Sequence, residues 1–253
     1  MMCLLSHLKT LRSIVRMNNW KDIWNNRNIS DICREKNGCT DKDILSELIK
    51  INGFDGGSGK SCITIESWEK YIAYIKKMLG IQDNDTIFEV GCGCGAILYP
   101  CYNNGFTVGG IDYSGNLIQY AKTIMPEADL LTGDASEINN NKYDFVISNS
   151  IFFYFSSYDY SSIVIDKMYD KAKKGIAILD IPDLRLKEQC ERERRSQVPD
   201  YDEKYKGLGH LYYPKGWFLD FADKKGCNSL TFTQQNISGY GYNKYRFNCF
   251  IIR

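Results

Sequence analysis

Between residues 86 and 180 the sequence switches repeatedly between two hydrophobic rhythms, and that alternation limits the chain to few folds. Short apolar runs at 86–90, 107–111, 128–131, 145–148 and 176–180 read as buried strands. Helical spacing fills the intervals at 96–104, stopped by Gly105, at 116–125, closed by Pro126, and at 161–173, with the loop Asn139-Asn140-Asn141 before the fourth strand. A helix between two strands returns the chain to the same end of the sheet. Repeated β-α units therefore predict a parallel sheet with helices on both faces. Residues 214–225 are again helical, and 229–233 and 245–252 read as two last strands that pair as a hairpin on the sheet edge.

Upstream, 41–51 is helical with Ile44, Leu45, Leu48 and Ile49 on one face, and 53–59 is a glycine-rich break. A second helix carries Trp68, Tyr71, Ile72, Ile75, Met78 and Leu79 at core-facing spacing, with Thr64 as its cap and Gly80 as its stop. The expected architecture is α/β, a doubly wound, mostly parallel seven-stranded sheet with a C-terminal antiparallel hairpin. Residues 1–80 form a helical N-terminal extension and 81–253 the core. The segment 183–213 interrupts the alternation before the last helix. Its stretch 183–206 is highly charged and reads as a solvated helix and loop; the alternative is a lid over a substrate.

Composition removes several classes. Lys and Arg number 32 against 31 Asp and Glu, so bulk charge does not suggest a nucleic-acid binder. No apolar run approaches the ~20 residues that span a bilayer. Ten cysteines are scattered without a regular frame, and only His7 and His210 accompany them, which argues against a structural zinc site and for reduced thiols in a cytoplasmic protein. The first 16 residues place Leu4, Leu5, Leu8, Leu11, Ile14 and Val15 at helical spacing among basic residues, so an organellar targeting segment is the alternative to a packed helix.

Gly91-Cys92-Gly93-Cys94-Gly95 follows the first strand and opens a helix. Glycines there let the backbone turn sharply and come close to a ligand, and the helix start offers N–H donors and a positive dipole end. Gly91, Gly93 and Ala96 also satisfy the dinucleotide pattern, with Asp112 about 20 residues on, so the loop alone leaves a nicotinamide cofactor open.

Together with the strand-end motifs downstream of it, the run Glu89-Val90-Gly91-Cys92-Gly93-Cys94-Gly95 resembles the first motif of the class I S-adenosylmethionine-dependent methyltransferases. The resemblance covers about 68–253. It implies that Glu89 helps hold the amino-acid end of the cofactor, that Gly91 and Gly93 are the close-approach glycines, and that Cys92, Gly95 and Tyr113 belong to the same cofactor site. Asp112, ending the second strand, corresponds to the acid that accepts both ribose hydroxyls. Gly133-Asp134-Ala135 matches the adenine turn, where Asp134 accepts from the adenine amino group and the Ala135 amide donates to the ring. Residues 143–149, ending in Asn149, match the fourth strand, which ends at the methyl group. All of these motifs lie at strand carboxyl ends, where ligands bind in such sheets. The two helices ahead of the glycine loop suit a methyltransferase better than a dehydrogenase.

Other signals are weaker. Gly56-Gly57-Ser58-Gly59-Lys60-Ser61 resembles a P-loop, but that pattern needs glycine where Phe54 stands and a strand before it; the alternative is a loop that closes over the site. His210 is a candidate for acceptor binding or for general-base work, since methylating a hydroxyl benefits from a base near neutrality. Tyr154, in the aromatic run 152–155, and Tyr213 are candidates for the acceptor pocket. The fourth strand leads into Asn149-Ser150-Ile151-Phe152, not an Asn-Pro-Pro-Tyr or Asp-Pro-Pro-Tyr segment, which argues against the best-known enzymes that methylate amino groups of adenine and glutamine. Pro100-Cys101 lies on a helix away from the strand ends, and no basic-aromatic stripe suggests RNA. An oxygen or nitrogen of a small molecule is the remaining acceptor, with a protein or nucleic-acid acceptor, or a non-catalytic subunit, as alternatives.

Overall fold

The computed structural model describes residues 20–27, 38–54 and 62–253. The basic segment 1–16 and the P-loop-like 56–61 lie outside the described residues. In chain order the main elements are α1 (Trp20–Asn25), α2 (Asp41–Ile49), α3 (Ile65–Leu79), β1 (Ile87–Val90), α4 (Leu98–Asn103), β2 (Val108–Asp112), α5 (Gly115–Ile124), β3 (Asp129–Thr132), β4 (Tyr143–Asn149), α6 (Tyr158–Lys171), β5 (Ala172–Pro182), α7 (Lys187–Gln197), α8 (Tyr201–Lys204), α9 (Lys215–Lys225), β6 (Ser229–Gln234) and β7 (Arg246–Ile252).

The seven strands form one sheet in the order β3-β2-β1-β4-β5-β7-β6. The first five run parallel; β7 lies antiparallel to β5 and β6, which is the expected terminal hairpin. The order reverses between β1 and β4, so the carboxyl ends of these central strands border the crevice where such sheets bind ligands.

Alternate side chains along the strands separate two cores. Ile87, Phe145, Ile147, Ala177, Leu179 and Phe250 pack with α2, α3, α4 and α5, through Leu48, Trp68, Ile75, Leu98 and Leu117. Phe88, Val90, Val146, Ile176, Phe247 and Ile251 pack on the other face with α6 and α9, through Val164, Met168 and Phe218. Residues 41–80 thus complete one face of the sheet and share its core. The indole of Trp68 ties α3 to the glycine loop by donating to the Ala96 carbonyl at 2.8 Å.

Local chemistry sets the helix limits. Thr40 and Asp43 form a capping box at α2, Thr64 caps α3, and Gly80 ends α3 at φ 72°. Pro100 is tolerated in α4 because it falls in the first turn, where amides have no helical partner. The expected gap between α6 and β5 is absent: the helix passes directly into an 11-residue strand at Ala172.

The charged segment folds as α7 and α8 and returns beside the carboxyl end of β5, where Asp183 and Tyr213 bridge and the Leu211 amide donates to the Phe153 carbonyl at 2.9 Å. All eight described cysteines are free, and among the described residues no group of His, Cys, Asp or Glu is arranged to hold a metal ion. No helix among them is long and apolar enough to cross a membrane.

Candidate functional site

The site begins where β1 ends. The Gly91 and Cys92 amides both donate to the Ile111 carbonyl of β2, at 2.8 and 3.2 Å, and the Gly95 amide donates to the Cys92 carbonyl at 2.8 Å. This turn requires positive φ at Gly91 (75°), Gly93 (53°) and Gly95 (87°), a region closed to most side chains. Space is short as well: a Cβ on Gly91 would stand 2.5 Å from Ile151 Cγ2, and one on Gly93 3.1 Å from Asn52 Oδ1. The backbone is therefore bare where it faces the cavity.

Asp112 closes β2 and clasps the loop. Its carboxylate accepts from the Gly93 amide at 2.9 Å and from the Ser114 amide at 2.8 Å. Burial raises its pKa, and these two amide bonds pull against that rise. Each oxygen keeps acceptor capacity, since an ionised carboxylate offers about four lone-pair sites. Glu89 is 3% exposed, and its Oε2 has no hydrogen-bond partner among the described residues. Burial, and secondarily the Asp112 charge, holds its carboxyl well above the usual range.

At the end of β3, Asp134 caps a single 3₁₀ turn. It accepts from the Ser136 amide at 2.9 Å, the Ser136 hydroxyl at 2.6 Å and the Tyr160 hydroxyl of α6, while Glu137 accepts from the Asp134 amide at 2.9 Å. At the end of β4, Asn149 Oδ1 accepts from the Tyr71 hydroxyl at 3.0 Å. The next residue, Ser150, has φ 59° and donates its hydroxyl to Asp180 Oδ2 at 2.8 Å.

These strand ends surround one cavity of about 610 Å³. Glu89, Gly91, Gly93, Ile111, Asp112, Tyr113 and Leu117 line the side next to the glycine loop, and Thr132, Gly133, Asp134, Ala135 and Glu137 the side next to β3. Asn149, Ser150, Ile151, Tyr154, Phe155, Ser156 and Tyr160 line the rest, with Asn52, Trp20 and Trp24 from the N-terminal helices. Helix α1 crosses the cavity: the Tyr113 hydroxyl donates to the Trp20 carbonyl at 3.5 Å, and the Trp20 ring packs 4.6 Å from that of Tyr154.

Of the residues singled out in the sequence, Glu89, Gly91, Gly93, Asp112, Tyr113, Asp134, Ala135, Asn149 and Tyr154 thus meet at one cavity. Four others do not line it. Cys92 is buried with its thiol beside Gly110, and a Cβ on Gly95 would run into Met125 of α5, so both serve the packing of the loop. Tyr213 is fully buried; its hydroxyl bonds Ser161 at 2.6 Å and donates to the Phe152 carbonyl at 2.9 Å, which leaves nothing for an acceptor.

His210 packs 4.9 Å from Trp20 and 5.3 Å from Phe153, with Nδ1 3.4 Å from Arg194 Nη1. Burial first, then the charges of Arg194 and Arg246, push its pKa well below the usual value, so it is neutral and a feeble base. This corrects the expectation of a base poised near neutrality. Among the described residues none in 183–213 lines the cavity; His210 of this insertion packs on Trp20 and Phe153.

Sequence reasoning missed Trp20, Trp24, Asn52, Ser150 and Tyr160. The tryptophans did carry a signal: their i, i+4 spacing puts both on one helix face.

Residues 87–175 match the model of a family described as a methyltransferase domain. None of the curated proteins matches the sequence at a significant level. Among solved structures the chain is similar to magnesium protoporphyrin IX methyltransferase from Synechocystis PCC 6803 with bound SAH, at 16% identity and TM-score 0.55, over 85% of this chain and 100% of that one. It is similar to a protein from Pyrococcus horikoshii at 18% identity and TM-score 0.56, over 74% of this chain and 88% of that one. It is also similar to a TehB-like SAM-dependent methyltransferase from Corynebacterium glutamicum at 18% identity and TM-score 0.52, over 83% of this chain and 97% of that one. Likeness at these identities is likeness of fold.

Proposed function

We propose that this chain, a class I S-adenosylmethionine-dependent methyltransferase, moves the cofactor's methyl group to an oxygen or nitrogen of a small-molecule acceptor. The observation that carries the acceptor class is the cavity itself. Beside the strand-end residues that suit the cofactor it is walled by Trp20 and Trp24 of α1 and by Tyr154, aromatic side chains of the kind that line small-ligand pockets. The methyltransferase from Synechocystis, whose name gives magnesium protoporphyrin IX as its substrate, supports the same reading by analogy of fold.

The residues at the cavity suit the cofactor. Gly91 and Gly93 leave backbone where a Cβ would intrude, and the orphaned Glu89 oxygen suits a cationic amino group. Asp112 has acceptor capacity for the ribose hydroxyls, and Asp134 and Ala135 line the side that suits the adenine edge, where the Ala135 amide would donate to the ring. The bound cofactor supplies a methyl group on an electrophilic sulfonium. The chain's task is to position the acceptor in line with it and to exclude water, and positioning of that kind is worth ~7–11 kcal/mol. Trp20, Trp24 and Tyr154 form the apolar wall for that work, and His210 supports Trp20 from behind.

The test is a methyl-transfer screen with labelled S-adenosylmethionine against a fraction of metabolites below about 1 kDa and, separately, against protein and RNA fractions. Label in the small-molecule fraction is expected. Label confined to protein or RNA would contradict the acceptor class.

A further inference from the structure

We propose that Ser150, hydrogen-bonded to Asp180, takes the proton of an aromatic hydroxyl at the acceptor end of the cavity. This inference rests on the small-molecule reading above and narrows it to a phenolic oxygen.

The argument starts from the backbone. Ser150 (φ 59°) and Asp180 (φ 58°) are two of three non-glycine residues with positive φ among the described residues, and they stand side by side at the ends of β4 and β5. Such conformations persist only where the surroundings impose them, and they collect at functional sites. The imposing contacts are visible. The β5–β7 pairing slips between Ile178 and Ile181, and there the Asp180 amide donates to the Asn248 side chain at 2.9 Å in place of a backbone carbonyl. A slip of this kind re-aims a side chain, and here it brings the Asp180 carboxylate against Ser150.

Ser150 lines the cavity, whereas Asp180 is 2% exposed and sits behind it. Because the Ser150 hydroxyl donates to Asp180, its lone pairs remain to accept from a ligand. Asp180 Oδ2 takes two donors, Ser150 and the Tyr240 hydroxyl at 3.0 Å, while Oδ1 has none, with Arg246 Nε at 3.8 Å. The groups facing Asp180 are thus Ser150 from β4, Tyr240 from the β6–β7 connection, Gln235 just after β6 and Arg246 from β7. Asp180 acts in turn on Tyr71 of α3, and Arg194 of α7 acts on Arg246 and Tyr240. Burial outweighs Arg246 and the hydroxyl donors, so the carboxyl lies above its ordinary value, which makes its anion a better base than a solvated aspartate. The rings of Trp20, Trp24 and Tyr154 supply flat apolar walls for an aryl group, and a phenol, with a pKa near ~10, gives up its proton more readily than an aliphatic alcohol.

In the step, a lone pair of the phenolic oxygen forms the new C–O bond as the methyl C–S bond breaks toward sulfur. The phenolic proton passes to Ser150 Oγ, the Ser150 proton passes to Asp180 Oδ2, and Asp180 returns it to water after the product leaves. Charge balances: the sulfonium becomes a neutral thioether and one proton is released. Asp180, acting through Ser150, is a positioning residue.

Two measurements test this. Binding of phenol and of anisole is compared by NMR on the protein with and without S-adenosylhomocysteine. Methyl transfer to simple phenols and their matched anilines is followed from pH 5 to 9. The wild type is expected to prefer phenol to anisole about tenfold, and Ser150→Ala to erase the preference. Ser150→Ala, which buries no unpaired charge, and Asp180→Asn are expected to lower kcat on phenols about 10²-fold, leave KM for the cofactor unchanged, and remove the fall in rate at low pH. Equal binding of phenol and anisole, or a wild-type pH profile in Ser150→Ala, overturns the inference. If other small molecules are methylated but phenols are not, this inference alone falls. If no small molecule is methylated, the reading of function falls with it.

Discussion

Replacing Gly91 with alanine tests the reasoning about the loop at one atom. The residue has φ 75°, where an L side chain costs ~1–2 kcal/mol. The new Cβ would stand 2.5 Å from Ile151 Cγ2 and 2.6 Å from Cδ1, well inside the ~3.5–4.0 Å of favourable carbon contacts. Overpacking of that kind adds ~1–3 kcal/mol. The expected loss is therefore ~2–5 kcal/mol, a large part of the ~5–15 kcal/mol that holds a domain together. In a chain of this size it lowers Tm by roughly 4–20 °C. Ile151 also lines the cavity, so its displacement should weaken binding of S-adenosylhomocysteine. Gly91→Ala/Ile151→Ala removes the two shortest contacts but leaves the Ile151 Cβ at 3.2 Å and the strained φ, so the double variant should lose less stability than the sum of the two single variants, a coupling that a double-mutant cycle isolates. Thermal melts and calorimetric titration of the wild type, both single variants and the double variant measure all of this. A Gly91→Ala protein within 2 °C of wild type, or strictly additive losses in the double variant, would refute the packing account of the loop.

Glu89 holds its proton more tightly folded than unfolded, so its contribution to stability is complete below the unfolded pKa of ~4.3 and is lost as pH rises through the folded value. Glu89→Gln should flatten the dependence of Tm on pH above ~4.3 while weakening cofactor binding; a wild-type pH slope would argue that another group carries it. Lys171, whose ammonium donates to the Asn139 and Asn141 carbonyls, has its pKa lowered by burial to about 8. The folded state then binds fewer protons than the unfolded one between about 8 and ~10.4, so stability should rise with pH across that window, and Lys171→Met should lose the rise in chemical denaturation. His210→Phe should keep kcat within about threefold across pH 6–8, because a neutral, buried imidazole is a poor base; a collapse of the rate at constant fold would restore it as a base.

The sheet and the strand-end lining of the cavity were legible because their signals are local. Each β-α unit carries its own change of period, and Glu89, the glycines, Asp112 and Asp134 sit at strand ends that sequence order alone identifies. What escaped depends on distant segments meeting. The strained pair Ser150 and Asp180 is created by the slip between β5 and β7, and Asp180 and Asn248 lie 68 residues apart. Asn52 reaches the glycine loop only because α2 packs beside it. Tyr213, a candidate for the acceptor pocket, is instead fully buried beside the bridge to Asp183, a placement that depends on segments distant in sequence. The setting of His210 is one composition cannot carry: burial first, and then the charges of Arg194 and Arg246 from other elements, lower its pKa.

Calorimetric titration of the purified chain with S-adenosylhomocysteine, beside Asp112→Asn, tests the central claim most directly. The wild type should bind one equivalent. Asp112→Asn removes the charged acceptor, and loss of a charge-assisted hydrogen bond of ~2–3 kcal/mol should weaken affinity roughly 30–150-fold. Absence of binding by the wild type, or equal affinity in the two proteins, would contradict the account.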